Sequence, residues 1–254
     1  MSTITHSTPR SRAVVITLDR LIYRVSRHWI LVFGLAFGCY VGLPWLAPTL
    51  MHLGWTDAGN AIYLLYSTQC HQMPQRSFFV FGPQGMYSLA QIQTAFKNTT
   101  DPMILRQFIG NAQLGWKVAW SDRMVSMYSS LLPFAWLWSK LSRRIRPLPW
   151  WGVIVCLLPM AADGGTHLIS DVLGGIGGGF RDSNAWLATL THNALPASFY
   201  MGDALGSFNS LMRLMTGVFF AFGVIWFVFP YLQTTMDNVA HNLEDKFQRA
   251  GLRL

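Results

Sequence analysis

From His28 to about Met51 the chain carries no acidic side chain, lysine or arginine, and that stretch is long enough to cross about 30 Å of hydrocarbon. A secretory signal has a shorter apolar core, so the segment reads as a retained first span. Pro44 and Pro48 are expected to kink it or end it. Three more apolar runs follow, at about 124–141, 149–170 and 211–232. Composition agrees: 52% of the 254 residues are apolar and 12% charged, about half the charge of a soluble protein. The expectation is an all-α integral membrane fold with four transmembrane helices.

Between these spans the chain divides in three. Residues 52–120 are mixed and read as a helical cap at the outer interface. An amphipathic helix from Asp57 to His71 is stopped by Pro74, a polar stretch runs from Tyr87 to Thr100, and a helical piece from Pro102 to Trp120. Residues 172–206 form a Gly-rich connection, flexible or tightly turning. Residues 1–27 and 233–254 flank the membrane domain of residues 28–232.

Charge supplies the orientation. Five arginines (10, 12, 20, 24 and 27) precede span one, Lys140, Arg143, Arg144 and Arg146 crowd the loop between spans two and three, and Lys246, Arg249 and Arg253 follow span four. With four spans these regions fall on one side, which the positive-inside rule makes cytoplasmic. The chain is therefore expected in the prokaryotic cell membrane with both termini inside. The excess of 19 basic over 11 acidic residues sits beside apolar runs. It reads as anchoring to anionic headgroups, with the lipid bilayer as partner and not nucleic acid. Three cysteines are too few for a disulfide framework.

This topology places unusual polar groups at one depth. Cys70, His71 and Arg76 lie in the outer cap, Ser121, Asp122 and Arg123 at the outer end of span two, Asp163, Thr166 and His167 in the outer part of span three, and Asn209 and Arg213 at the start of span four. Asp163, Thr166, His167 and Asp171 share a helix face by their spacing. An unpaired Asp or Arg in a span costs roughly 2.5–3.5 kcal/mol, so Asp163 and Arg213 are expected to pair or to share an aqueous cavity. A packing salt bridge without chemistry explains these residues as readily as an outward pocket with a carboxylate, an imidazole and a guanidinium.

The run Cys70-His71-Gln72-Met73-Pro74-Gln75-Arg76-Ser77-Phe78-Phe79 resembles the opening motif of a prokaryotic membrane-protein family known as domain of unknown function 2085. Asp163-Gly164-Gly165-Thr166 and the stretch from Asn209 to Gly217 follow in the family's order, so the resemblance covers roughly residues 60–230. That family commonly carries a Cys-x-x-Cys at the start of the second span, which implies a Cys/His metal site. Here Ser121-Asp122-Arg123-Met124 stands in its place and both thiols are missing. A metal would have to draw on Cys70, His71, Asp122, Asp163 and His167. The resemblance implies no reaction.

Other signals are ordinary. The glycines from Gly174 to Gly179 fit neither G-x-G-x-x-G nor a P-loop. Cys70 and His71 are sequence neighbours and do not face each other as a catalytic pair. Met201, Met212 and Met215 read as adaptable packing. No inverted repeat suggests a transporter. Two functions remain: a metal-binding or catalytic polar site at the outer face, or a non-catalytic accessory subunit of a larger membrane complex.

Overall fold

The computed structural model describes residues 9–142 and 144–254; residues 1–8 of the basic N-terminal segment and Arg143 of the basic loop lie outside the described residues. Helix α1 (Pro9–Arg27) runs into α2 (Trp29–His52) with only His28 between them. Pro44 and Pro48 do not end α2, which continues to His52 with both rings buried. After α3 (Thr56–Tyr66) come a 3-10 turn at Pro74–Arg76, strand β1 (Ser77–Val80), α4 (Leu89–Ala95), α5 (Pro102–Leu105), β2 (Gly110–Asn111) and β3 (Gly115–Ser121). Helices α6 (Asp122–Leu141) and α7 (Trp150–Gly174) lead to three short helices, α8 (Phe180–Ser183), α9 (Ala185–Leu190) and α10 (Ala197–Tyr200), and then to α11 (Phe208–Arg249).

Three of these helices, α2, α7 and α11, are long and apolar enough to cross a membrane. Helix α6 has 20 residues but is more polar, opening on Asp122 and Arg123 and carrying several serines. Helix α7 is inside-out by the standard of a soluble protein. Val155, Leu158, Val172 and Leu173 are exposed, whereas Asp163, His167 and Ser170 are buried. Only an apolar surrounding makes that the favourable arrangement.

Helix α11 packs on both α6 and α7. A Cβ added at Gly217 would stand 2.9 Å from the Met127 backbone nitrogen and overlap Ser126 Oγ, so the lack of a side chain lets α11 approach α6 closely. Further from the cap, Trp29, Leu131, Trp138, Ile225, Trp226 and Phe229 form a shared apolar core. The fourth apolar run and the tail after Leu232 form one helix. Helix α11 continues for 42 residues, about 63 Å, because neither glycine nor proline falls between Tyr231 and Arg249. Its far end binds α1: Tyr23 donates to Glu244 (2.8 Å) and Lys246 pairs with Asp19 (2.6 Å). The opposite face of α1, with Leu18, Leu21 and Ile22, is exposed.

The all-helical cap is corrected. It holds a three-stranded antiparallel sheet in the order β1-β3-β2. The stretch 102–120, expected as one helical piece, contributes only the four residues of α5 to a helix. Gly115 adopts φ +77°, which a side chain disfavours, and it closes the β2–β3 hairpin. Beyond it, Trp116, Lys117, Val118, Ala119 and Trp120 suit a strand buried against α2 and α3. The amphipathic helix ends at Tyr66, so Cys70 and His71 lie in an irregular connection.

That connection explains much of the opening motif. Gln72, Met73, Pro74, Gln75, Ser77 and Phe79 are all buried. The Gln72 side-chain amide donates to the carbonyls of Tyr63 and Ala119, at 2.9 and 3.0 Å. Lys117 Nζ donates to the carbonyls of Gln72 and Arg106, both at 2.8 Å. The motif is thus a joint that ties α3 to the sheet, with Arg76 projecting from it.

Lys117 is fully buried, and burial pushes its ammonium down to about 7; the Arg106 charge adds to the fall and Cys70 opposes it. An unfolded lysine titrates near 10.4, so between these values the unfolded chain binds more protons than the folded one. Stability should therefore rise with pH from about 7 towards 10, by on the order of 4 kcal/mol in total from this group. Below about pH 7 the ammonium is charged in both states and the full cost is present. Thermal unfolding of purified protein across this range should show the rise, and Lys117→Met should abolish it. An identical pH slope in both chains would show that Lys117 does not titrate in this window.

Candidate functional site

Charged side chains from five segments meet at the cap end of α6, α7 and α11, and they form two linked groups. In the first, Arg213 on α11 donates through Nε to both oxygens of Asp122, at 2.8 and 2.9 Å. Its Nη1 reaches Asp203 Oδ1 at 2.6 Å and its Nη2 the Asp203 carbonyl at 2.9 Å. Arg76, from the 3-10 turn, donates through Nε to Asp203 Oδ2 at 2.8 Å and grips Asp171 with both terminal nitrogens, at 3.0 and 3.1 Å. Both guanidinium groups use all three nitrogens.

Burial by itself disfavours charge on Asp203, but Arg76 and Arg213 outweigh it and hold the carboxyl well below the usual carboxylate range. Burial likewise works against the Arg76 charge, and Asp203 and Asp171 more than offset it. Asp122 is fully buried and also accepts from Ser210 Oγ and the Arg123 backbone N–H.

The second group is centred on Asp163. Arg123 Nη2 donates to its Oδ2 at 2.7 Å, and Arg181 Nη2 to its Oδ1 at 2.6 Å. Arg181 Nη2 also stands 3.2 Å from His167 Nε2. A guanidinium nitrogen can only donate, so Nε2 accepts and the imidazole proton sits on Nδ1. That Nδ1, together with Nε of Arg123 and of Arg181, is buried and has no hydrogen-bond partner among the described residues.

Arg181 reaches Asp163 because the Gly-rich connection folds back against α7. A Cβ at Gly179 would lie 2.6 Å from the Ser170 carbonyl oxygen and overlap Ser170 Oγ, so only glycine permits this approach. The Arg181 backbone N–H then donates to Ser170 Oγ at 2.9 Å. Asn209 and Asn184 hold the fold-back: each donates to the Arg181 carbonyl, at 2.6 and 2.7 Å, and Asn209 also to the Gly202 carbonyl at 2.9 Å. The connection is ordered by this clamp rather than being a loose turn.

Of the residues singled out in the sequence, Arg76, Asp122, Arg123, Asp163, His167, Asp171, Asn209 and Arg213 converge. Cys70 lies beside the cluster, its Sγ 3.6 Å from Ser121 Oγ. His71 is exposed and outside it. Thr166 bonds to the Ala162 and Asp163 carbonyls of its own helix. The expected Asp163–Arg213 pair does not form: Arg213 takes Asp122 and Asp203, while Asp163 takes Arg123 and Arg181. Among the described residues no three His, Cys, Asp or Glu side chains are grouped as a metal ion requires. Cys70, His71, Asp122, Asp163 and His167 therefore do not make one ligand set.

Arg181 and Asp203 were missed in the sequence. Both sit in the connection whose glycines masked them as turn residues, and the available signal was an Arg and an Asp within a long run otherwise poor in charge.

The chain is 26% identical over 209 residues to the uncharacterized protein MJ1492 of Methanocaldococcus jannaschii, an alignment covering 80% of this chain and 92% of that protein. No protein-family model matches the chain. No solved structure matches it.

Proposed function

We propose that this chain is a four-span protein of the prokaryotic cell membrane, with both termini cytoplasmic and the cap outside, that holds a polar ligand in the Asp163 group. Helix α6 is the fourth span, with Asp122 and Arg123 neutralised by the network. The basic segments around α1, the loop after α6 and the end of α11 support the orientation. The similarity to an archaeal protein agrees with a prokaryotic source, and membership of the family of unknown function 2085 is part of the same reading.

The observation that carries the ligand site is a contrast in saturation. Arg76 and Arg213 spend every guanidinium nitrogen on protein acceptors. Arg123 and Arg181 bind Asp163 through Nη2 alone, leaving buried N–H groups unmatched. Buried donors without acceptors are costly, and native proteins rarely keep them idle. The first group is a lock between the spans and the cap; the second is where a ligand fits.

The second reading is an accessory subunit, favoured by the apolar face that α1 leaves exposed with Leu18, Leu21 and Ile22. Native mass spectrometry of protein released from its own membranes separates the two. A small adduct that Arg181→Lys removes supports the ligand site. Stoichiometric companion subunits without any adduct would replace it with the accessory role. A Thr99→Cys chain should also be labelled by an impermeant thiol reagent in intact cells; labelling only after lysis would invert the topology.

A further inference from the structure

If the Asp163 group holds a ligand, its charge and its free donors set the chemistry of that ligand. Two guanidinium groups face one carboxylate, so Arg123, Arg181 and Asp163 carry one positive charge in excess. The neighbouring lock has the opposite balance, Arg76 and Arg213 against Asp122, Asp171 and Asp203. His167 adds no charge while its Nε2 accepts from Arg181, but it presents a proton on Nδ1.

The unmatched groups are nearly all of one kind. Arg123 Nε, Arg181 Nε and His167 Nδ1 are donors, against a single unmatched acceptor close by in the chain, Asn184 Oδ1. Arg181 and His167 are 6% and 5% exposed, so water competes poorly for them. The Arg123 side chain is 21% exposed, so one member of the group reaches the surface. Donors in surplus, a net charge of one and two arginines describe a receptor for an oxyanion; the planar fork of arginine matches phosphate geometry better than the point charge of lysine. A cation is disfavoured because the only carboxylate here is already held by both arginines.

We propose that Arg123, Arg181 and His167 bind a singly charged phosphate-type oxyanion beside Asp163, an inference that rests on the ligand-site reading of this group. Two sources supply that chemistry at this level of the bundle: the phosphodiester of an outer-leaflet phospholipid, or free phosphate from outside. A phosphodiester carries one negative charge, equal to the excess on Arg123, Arg181 and Asp163 alone; with the lock counted, four arginines face four aspartates.

The test uses the full chain, purified and delipidated in a non-ionic detergent. Thermal unfolding is followed while adding inorganic phosphate, with chloride at equal ionic strength as control. In parallel, phosphatidylglycerol is added, with diacylglycerol of the same acyl chains as control. The expected result is a rise in the unfolding midpoint with at least one phosphate probe and with neither control. A response to phosphatidylglycerol alone assigns the site to lipid; a response to inorganic phosphate assigns it to a free ion. Arg181→Lys, which keeps a charge on Asp163, and Arg123→Gln, at the partly exposed position, should each weaken the response by about tenfold or more. No response to either probe, or an equal response in folded variants, overturns the proposal. A retained adduct lacking phosphorus that Arg181→Lys removes would also overturn it, while leaving the ligand-site reading in place.

Discussion

Arg213→Met is expected to cost the folded protein about 3–5 kcal/mol, the usual penalty for removing one partner of a buried ion pair. The change strips Asp122 of its one salt-bridge partner among the described residues, and Asp122 is fully buried with Ser210 Oγ and one backbone N–H left to it. Asp203 falls back on Arg76 alone. Arg213→Lys should recover only part of this loss, because one ammonium cannot reproduce three nitrogens directed at two aspartates. Arg76→Met should cost less, since Arg76 and Asp171 are 15% and 20% exposed and can turn to water or headgroups. The unfolding midpoint of purified protein in mild detergent ranks the three variants. If Arg213→Met unfolded with the wild type, the lock would have no energetic role. Replacing Asp122 and Arg213 together by Leu and Met should restore most of the loss, because a well-packed apolar pair avoids desolvating two charges.

The ranking matters because the sequence suggests that Arg213 pairs with Asp163 or shares a cavity with it, whereas its salt-bridge partners are Asp122 and Asp203. Depth along the spans brought Asp163 and Arg213 to comparable levels, and depth is legible from apolar runs and basic loops. The partner is decided by rotation about the helix axes and by what the connecting segments bring in. Helix α6 offers Asp122 to α11 and Arg123 to α7 from adjacent positions, and adjacent residues on a helix point about 100° apart. No periodicity in the individual helices reveals which neighbour each will meet. Asp203 and Arg181 arrive on a connection whose fold-back depends on contact between Gly179 and Ser170, a tertiary event without a local signature. The α2 and α7 boundaries, by contrast, came out of length and hydropathy within a few residues. The cap sheet was hidden because Trp116–Trp120 is largely apolar, and a short apolar run does not distinguish strand from helix.

Asp163→Leu should act with opposite signs on a part and on the whole. In an isolated α7 segment the carboxylate is a cost of roughly 2.5–3.5 kcal/mol against membrane insertion, so the substitution should improve insertion by about that amount. In the folded chain the same carboxylate is the shared salt-bridge partner of two arginines. Removing it leaves Arg181, 6% exposed, without an anion, and Arg123 with a partial route to headgroups or water. The expected result is a destabilisation of about 3–5 kcal/mol, read as a lowered unfolding midpoint in detergent. Asp163→Leu combined with Arg181→Leu should recover a large share, because the buried charge disappears along with its partner. Arg181→Lys alone should be mild, on the order of 1 kcal/mol, since Arg181 gives Asp163 a single nitrogen that an ammonium can replace. A mild Arg181→Lys beside a severe Arg213→Lys would show by stability alone that one group is saturated and the other is not. If Asp163→Leu instead stabilised the whole protein, the two arginines would have to be satisfied without Asp163. The second group would then no longer be a receptor built around a carboxylate.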